Sequence, residues 1–194
     1  MKKTRVQKNK QVFDIVTSTL MVMELFFKYP NIEFTLSEVA EKTGLSKATA
    51  SKIIKNLQKN EFVNIVNLEV VYRIRANTDN RTYQREKIAR NIATMVRSDI
   101  VEFLAEEFNR PKCIVLFGSF RTGEDDVDSD IDIAVEVSDK RESGVFEFKE
   151  FKDIESILGR KITVHVFNRG SIDNNLFTNI ANGFVMYGLL EVSK

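Results

Sequence analysis

Along residues 11–29 (QVFDIVTSTLMVMELFFKY), apolar side chains recur at 12, 16, 20, 23 and 27, the spacing of one helical face. Phe13, Met21, Val22 and Leu25 fall outside that stripe, so the expected helix is apolar over more than one face. Such a helix suits either a sandwiched position in its own domain or a dimer interface. Leu36, Val39 and Ala40 then set a short amphipathic helix, and Thr43-Gly44 supplies a turn. Ser46 is a good N-cap for a second helix running to about Asn60, with Ala50, Ile53, Ile54 and Leu57 inward. The runs FVNIV and VVYRIR alternate as strands around a turn at Asn67-Leu68-Glu69. The polar stretch 76–86 marks a boundary. Beyond it, apolar positions 88, 92, 95, 96, 100, 103, 104 and 108 trace one long helix, about 84–109, which Pro111 stops.

From there the pattern alternates. A strand is expected at 112–117, a loop with a helical turn, a strand at 131–137, a helix at 146–158, a strand at 161–167, a helix at 171–182 and a short apolar end at 184–190. CIVLF and IAV are nearly continuous apolar runs, as expected of central strands buried on both faces.

With 194 residues, the chain has room for one domain or two small ones. The single cysteine, Cys113, excludes an internal disulfide framework and a Cys-based zinc site, and points to a reducing cytoplasm. Asp14 and Glu24 interrupt the apolar run behind the basic N-terminus, so neither a signal peptide nor a spanning helix is expected. Charge is uneven. Residues 1–90 hold 17 Lys/Arg against 9 Asp/Glu, a net of +8, whereas residues 91–194 hold 12 against 19, a net of −7. That asymmetry argues for two domains with different partners.

The basic part has a defined face. The second helix displays Ser46, Lys47, Thr49, Lys52, Lys55 and Lys59, and no acid occurs between Glu41 and Glu61. Lysines suit phosphate contacts, and short polar residues near a helix start suit base edges. A lysine-rich solvated helix would look alike in composition, but turn, helix and hairpin in this order favour DNA binding. The stretch LSEVAEKTGLSKATASKIIKNLQKNEFV resembles winged helix-turn-helix transcription regulators. The resemblance implies DNA as partner through Ser46, Lys47, Thr49, Lys52 and Lys55, and a homodimer on paired half-sites.

The acidic part concentrates its chemistry in CIVLFGSFRTGEDDVDSDIDIAVEV, residues 113–137. Gly118 and Gly123 have P-loop spacing, yet Glu124 and Asp125 stand where Lys and Ser/Thr are required. Asp126, Asp128 and Asp130 imitate half an EF-hand, but Ile131 and Val137 replace its Gly and Glu. A solvated acidic loop accounts for Glu124 to Asp128, though not for two aspartates flanking Ile131. In a strand, Asp130 and Asp132 project together, roughly 6–7 Å apart along the chain. Paired carboxylates of that kind suit Mg²⁺, while Gly118 lets a phosphate approach the backbone and Ser119 offers it a hydroxyl and an N–H.

GSFRTGEDDVDSDIDIAV resembles the Gly-Ser and Asp-x-Asp signature of the polymerase-β-like nucleotidyltransferase superfamily, in its minimal form, over about residues 88–190. The resemblance implies a nucleoside triphosphate held through Gly118 and Ser119, with Mg²⁺ (or Mn²⁺) on Asp130 and Asp132 as catalytic residues. It implies transfer of a nucleotidyl group to a hydroxyl. It also brings in a small helical HEPN-type protein as partner, since minimal members often serve as antitoxins to one. The family's third carboxylate falls on GRKITVHVF, where Thr163 occupies the aspartate's position and His165 lies two residues on, so catalysis itself is open. The expectation is an α/β (α+β) chain. A winged helix-turn-helix domain would cover residues 1–80, and a nucleotidyltransferase-type mixed sheet flanked by helices residues 81–194.

Overall fold

A computed structural model describes residues 17–68, 71–138 and 143–192. These divide into two compact units, the first running to Tyr83 and the second starting at Gln84.

The first unit opens with a helix over residues 17–28 (α1). The part of the expected helix at 11–16 lies outside the described residues. Its buried side chains are Val22, Leu25, Phe26 and Phe27, while Leu20 and Met21 are exposed. The stripe read from spacing is thus rotated: α1 turns its aromatic side into its own domain.

Helix α2 (Leu36–Thr43) starts in a capping box. Thr35 Oγ1 accepts the Glu38 N–H at 3.2 Å, and the Glu38 carboxylate accepts the Thr35 N–H at 2.6 Å. Gly44, at φ +67°, closes it by donating its N–H to Ala40 and Glu41. Ser46 then caps α3 (Lys47–Lys59), accepting the Thr49 N–H at 3.1 Å, and Ala50, Ile53, Ile54 and Leu57 are buried as their spacing requires.

Strands β1 (Val63–Leu68) and β2 (Val71–Ala76) pair antiparallel with Leu68 opposite Val71. Asn67 and Leu68 therefore belong to the strand rather than to the turn. Phe34 adds a bridge to Ile74 at the other edge. Phe27, Phe62 and Tyr83 form an aromatic triangle with centroids 4.9–5.5 Å apart, and the Tyr83 hydroxyl donates to the Phe26 carbonyl at 2.9 Å.

Where one helix is expected over 84–109, two occur: α4 (Arg81–Val96) and α5 (Ile100–Glu107). Asn80 caps α4, accepting the N–H groups of Thr82 and Tyr83. The break is at Ser98-Asp99, where the Ser98 hydroxyl turns back onto the Met95 carbonyl and Asp99 sits at φ +54°. Serine competes for backbone groups and aspartate tolerates the left-handed region, so this pair redirects the chain.

The second unit is a mixed sheet flanked by helices, as the α+β expectation requires. Its strand order is β5-β6-β4-β3-β7, from β3 (Cys113–Phe117), β4 (Ile131–Glu136), β5 (Gly144–Phe146), β6 (Ile162–Phe167) and β7 (Phe184–Gly188). Among the described strands, β4 and β6 alone pair in parallel. Central β3 is buried throughout. The expected helix at 146–158 shortens to a 3-10 turn (Lys149–Phe151) and α7 (Lys152–Leu158), because residues 144–146 extend along β6 as an edge strand. The apolar end is likewise the edge strand β7.

Alternation sorts the sheet into two faces. Ile114, Leu116, Ile131, Ile133, Ile162 and Val164 pack with Met95, Ile100, Leu104 and Phe151. On the opposite face, Cys113, Val115, Phe117, Ala134 and Phe167 pack with Ile180 of α8 (Asn174–Ala181). This second layer is thinner, and the candidate site lies on it.

Candidate functional site

The turn after β3 is a five-residue helix, α6 (Gly118–Thr122). Gly118 takes φ +72°, and a Cβ built there would lie 2.4 Å from Asp132 Oδ2. Both facts demand glycine. The space beside Gly118, expected to admit a phosphate, is already filled on one side by the Asp132 carboxylate. Ser119, next in α6, is half-buried.

Phe117 pairs with Asp132 across β3 and β4, and Asp132 pairs with Thr163 across β4 and β6. The register thus brings Asp132, Thr163 and His165 to one face. His165 Nε2 lies 3.3 Å from Asp132 Oδ1, and its ring meets Phe117 edge-on at 5.1 Å. Asp132 keeps 29% of its side chain exposed and His165 20%, so both are reachable from solvent. Asp130 precedes β4 and is exposed.

Two carboxylates with an imidazole beside one of them suit a hydrated divalent ion that takes its remaining ligands from water or phosphate. Among the described residues, no three His, Cys, Asp or Glu side chains already converge on one point. Asp130 and Asp132 are oxygen donors of the kind a hydrated Mg²⁺ or Mn²⁺ takes.

The loop between α6 and β4 departs from the solvated acidic loop expected at Glu124 to Asp128. Asp125 is 1% exposed. Its carboxylate accepts from Arg160 at 2.7 Å and from Asn91 at 2.8 Å, and Lys87 lies at 3.3 Å. Lys87 also donates to the Asp125 carbonyl. Burial pulls the Lys87 ammonium below its usual range, an effect that Asp125 opposes. Arg160 further donates to the Ser129 carbonyl at 3.1 Å, one residue before Asp130. Asp126 accepts from the Ser129 hydroxyl and the Asp128 N–H, and these bonds hold its carboxyl below the ordinary range. The backbone leading into the Asp-x-Asp pair is therefore fixed by a buried ionic cluster.

Sequence reasoning missed this cluster. Tyr83, Lys87, Asn91 and Met95 fall one helical turn apart on α4 and are its buried line. Two polar residues in that line hide it from an apolar-spacing search.

A second buried acid, Glu136, lies at the other end of β4. It accepts from Arg169 at 2.9 Å, with Lys112 at 3.7 Å and the Cys113 thiol at 3.7 Å.

In the first unit, Ser46 is an exposed cap whose hydroxyl also lies 2.9 Å from Thr49 Oγ1, and Thr49 is half-buried. Lys47, Lys52 and Lys55 are exposed on α3, opposite its buried face, and among the described residues no ion pair engages them. The structure therefore presents the three lysines to solvent, while Ser46 and Thr49 are partly used in capping.

No helix among the described residues is long and apolar enough to cross a membrane. No curated protein matches the chain. Two solved structures of the heme sensor protein PefR are similar to 55% of it. One is in complex with heme and carbon monoxide (18% identity, 92% of that chain covered, TM-score 0.30). The other, from Streptococcus agalactiae, is in complex with heme (19% identity, 91% covered, TM-score 0.29). Residues 16–64 match the IclR helix-turn-helix domain family, and residues 97–182 match the nucleotidyltransferase domain family. The chain thus joins an IclR-type helix-turn-helix domain to a nucleotidyltransferase domain.

Proposed function

We propose that the protein binds DNA through α3 and binds a nucleoside triphosphate with Mg²⁺ at Gly118, Ser119, Asp130 and Asp132, transferring a nucleotidyl group to a hydroxyl of a protein or nucleic acid. The observation that carries this reading is the meeting of Gly118 with Asp132 across β3 and β4, beside exposed Asp130. In such a transfer the acceptor oxygen bonds to the α-phosphorus, its proton passes to solvent water, and the bond to pyrophosphate breaks as pyrophosphate leaves. A bound divalent ion would offset the charge developing on the phosphate oxygens. The chain's own part is positional. Gly118 leaves room for Asp132, Ser119 Oγ and N–H are available to phosphate oxygens, and the Asp125 cluster fixes the approach to Asp130.

Incubation with α-labelled nucleoside triphosphates, Mg²⁺ and protein or RNA acceptors should yield labelled product that Asp132→Asn abolishes. A label that survives Asp132→Asn refutes the assignment. For the DNA side, Lys52→Glu with Lys55→Glu should lower affinity and flatten the salt dependence by roughly two units of log–log slope. Unchanged binding refutes α3 as the DNA face.

A second reading is favoured by one observation: Thr163, not a carboxylate, stands opposite Asp132 in register. In it the chain is a nucleotide-responsive transcription regulator, or an antitoxin of a helical HEPN-type partner, in the cytoplasm and acting as a homodimer. Nucleotide-modulated DNA binding without label transfer, and copurification of a small helical protein, are its marks.

A further inference from the structure

The two halves of the candidate site lie on separate elements, α6 and β4, and side chains outside the site tie them together. We propose that Asn91 and Arg160 are positioning residues that lock the Gly118-Ser119 turn to Asp130 and Asp132, so that a nucleoside triphosphate and its divalent ion bind as one preset unit. This rests on the nucleotide and metal reading of those four residues, and adds to it what sets their separation.

The link can be followed atom by atom. The side-chain nitrogen of Asn91, on α4, donates in two directions. It reaches the carbonyl of Phe120, the residue after Ser119, at 2.7 Å, and Asp125 Oδ1 at 2.8 Å. Asp125 Oδ2 accepts from Arg160 Nη2 at 2.7 Å. Arg160 Nη1 then donates to the carbonyl of Ser129, the residue before Asp130, at 3.1 Å. The same guanidinium lies over the Phe120 ring at 5.5 Å, so Arg160 touches both halves. Asn91, Asp125 and the Arg160 side chain are all buried, where water does not compete for these bonds. Helix α6 is also pressed on α4. Gly123 ends it at φ +77°, and a Cβ there would lie 3.0 Å from Ile88 Cγ1 and 3.3 Å from the Gln84 carbonyl oxygen.

The consequence concerns binding, not folding alone. A bridging ion takes oxygens from phosphate on one side and from carboxylates on the other, so its contribution depends on the separation between turn and carboxylates. A triphosphate resting on the turn without the ion does not depend on it. Loosening the link therefore weakens the joint complex more than the nucleotide's own hold.

The measure is the factor by which Mg²⁺ raises nucleotide affinity. Calorimetry of the intact chain with ATP, GTP, CTP and UTP in turn, in Mg²⁺ and in EDTA, supplies it. Arg160→Lys keeps a charge beside Asp125 but lacks the fork that also reaches Ser129. For the best-bound triphosphate the factor should fall at least about tenfold, with affinity in EDTA within about twofold of wild type. Asn91→Leu should do the same by freeing α6. Arg169→Lys, which alters the buried pair with Glu136 at the far end of β4, should leave the factor unchanged. One readout needs no variant: in wild-type protein, nucleotide in EDTA should slow hydrogen exchange over residues 126–132 as well as over 117–122. A wild-type factor kept in both variants overturns the proposal and leaves the nucleotide reading standing. Equal loss with and without Mg²⁺, the mark of general loosening, overturns it too, as does protection confined to the turn. If wild-type protein binds no triphosphate, or binds it equally well without Mg²⁺, both readings fall.

Discussion

Replacing Asp125 by asparagine keeps the shape of a side chain that is 1% exposed and removes its charge. Arg160 at 2.7 Å and Lys87 at 3.3 Å then lose their contacting carboxylate, with only the weaker pull of the largely solvated Asp126 left to offset them. Breaking a buried pair by deleting one partner costs about 3–5 kcal/mol, because the remaining charge is desolvated and uncompensated. For a unit of this size, about 4 °C per kcal/mol translates that into a melting-temperature drop of roughly 12–20 °C. The two cations respond differently. Arginine keeps its proton, but Lys87 is already pulled below 10.5 by burial, and without Asp125 it is pulled further. Between that lowered folded-state value and the unfolded value near 10.5, the unfolded chain binds more protons, so stability rises with pH through that window. The rise is complete above it and is steeper in the variant than in wild type. Scanning calorimetry at pH 7 and pH 9.5, with peptide-resolved hydrogen exchange to place the loss in β4, measures both effects. Adding Lys87→Met to Asp125→Asn should restore part of the stability at pH 7. A loss below about 1 kcal/mol, or no recovery in the double variant, would refute the ionic role given to this cluster.

Gly118→Ala forces a side chain into φ +72° and within 2.4 Å of the Asp132 carboxylate. The backbone strain costs roughly 1–2 kcal/mol, and Asp132 must shift, so metal affinity measured by calorimetry should fall well beyond what the stability change explains. Cys113 is fully buried, and burial together with Glu136 pushes its thiol up from 9.0 to about 12. At pH 8 its thiolate fraction should therefore be about a thousandfold below an ordinary cysteine's, and Ellman's reagent should label it only after urea unfolding; prompt labelling of the native protein would contradict this environment.

Much of the fold was legible because local chemistry carried it. The Ser46 cap, the Gly44 turn and the inward set Ala50, Ile53, Ile54 and Leu57 all follow from near neighbours in sequence, and the structure forms them as spacing required. The continuous apolar runs marked β3 and β4 as central strands for the same reason. Where two local signals competed, reading failed. Ser98-Asp99 broke a helix that apolar spacing would have continued; edge strand β5 fell in the gap before the expected helix, overlapping it only at Phe146, and β7 passed for a short apolar end, because an edge strand needs only one paired side.

By itself, then, the sequence determined that a Gly-Ser turn and an Asp-x-Asp pair sit on adjacent chain segments, and that α3 carries lysines away from its apolar face. Only the tertiary structure decided who meets whom. Parallel register between β4 and β6 sets Asp132 opposite Thr163 and within 3.3 Å of His165. Packing of α4 against the acidic loop buries Lys87, Asn91 and Asp125 together with Arg160. Neither is written in spacing, because strand register and the pairing of buried charges depend on contacts between residues some thirty or more positions apart, whose joint geometry no single segment encodes.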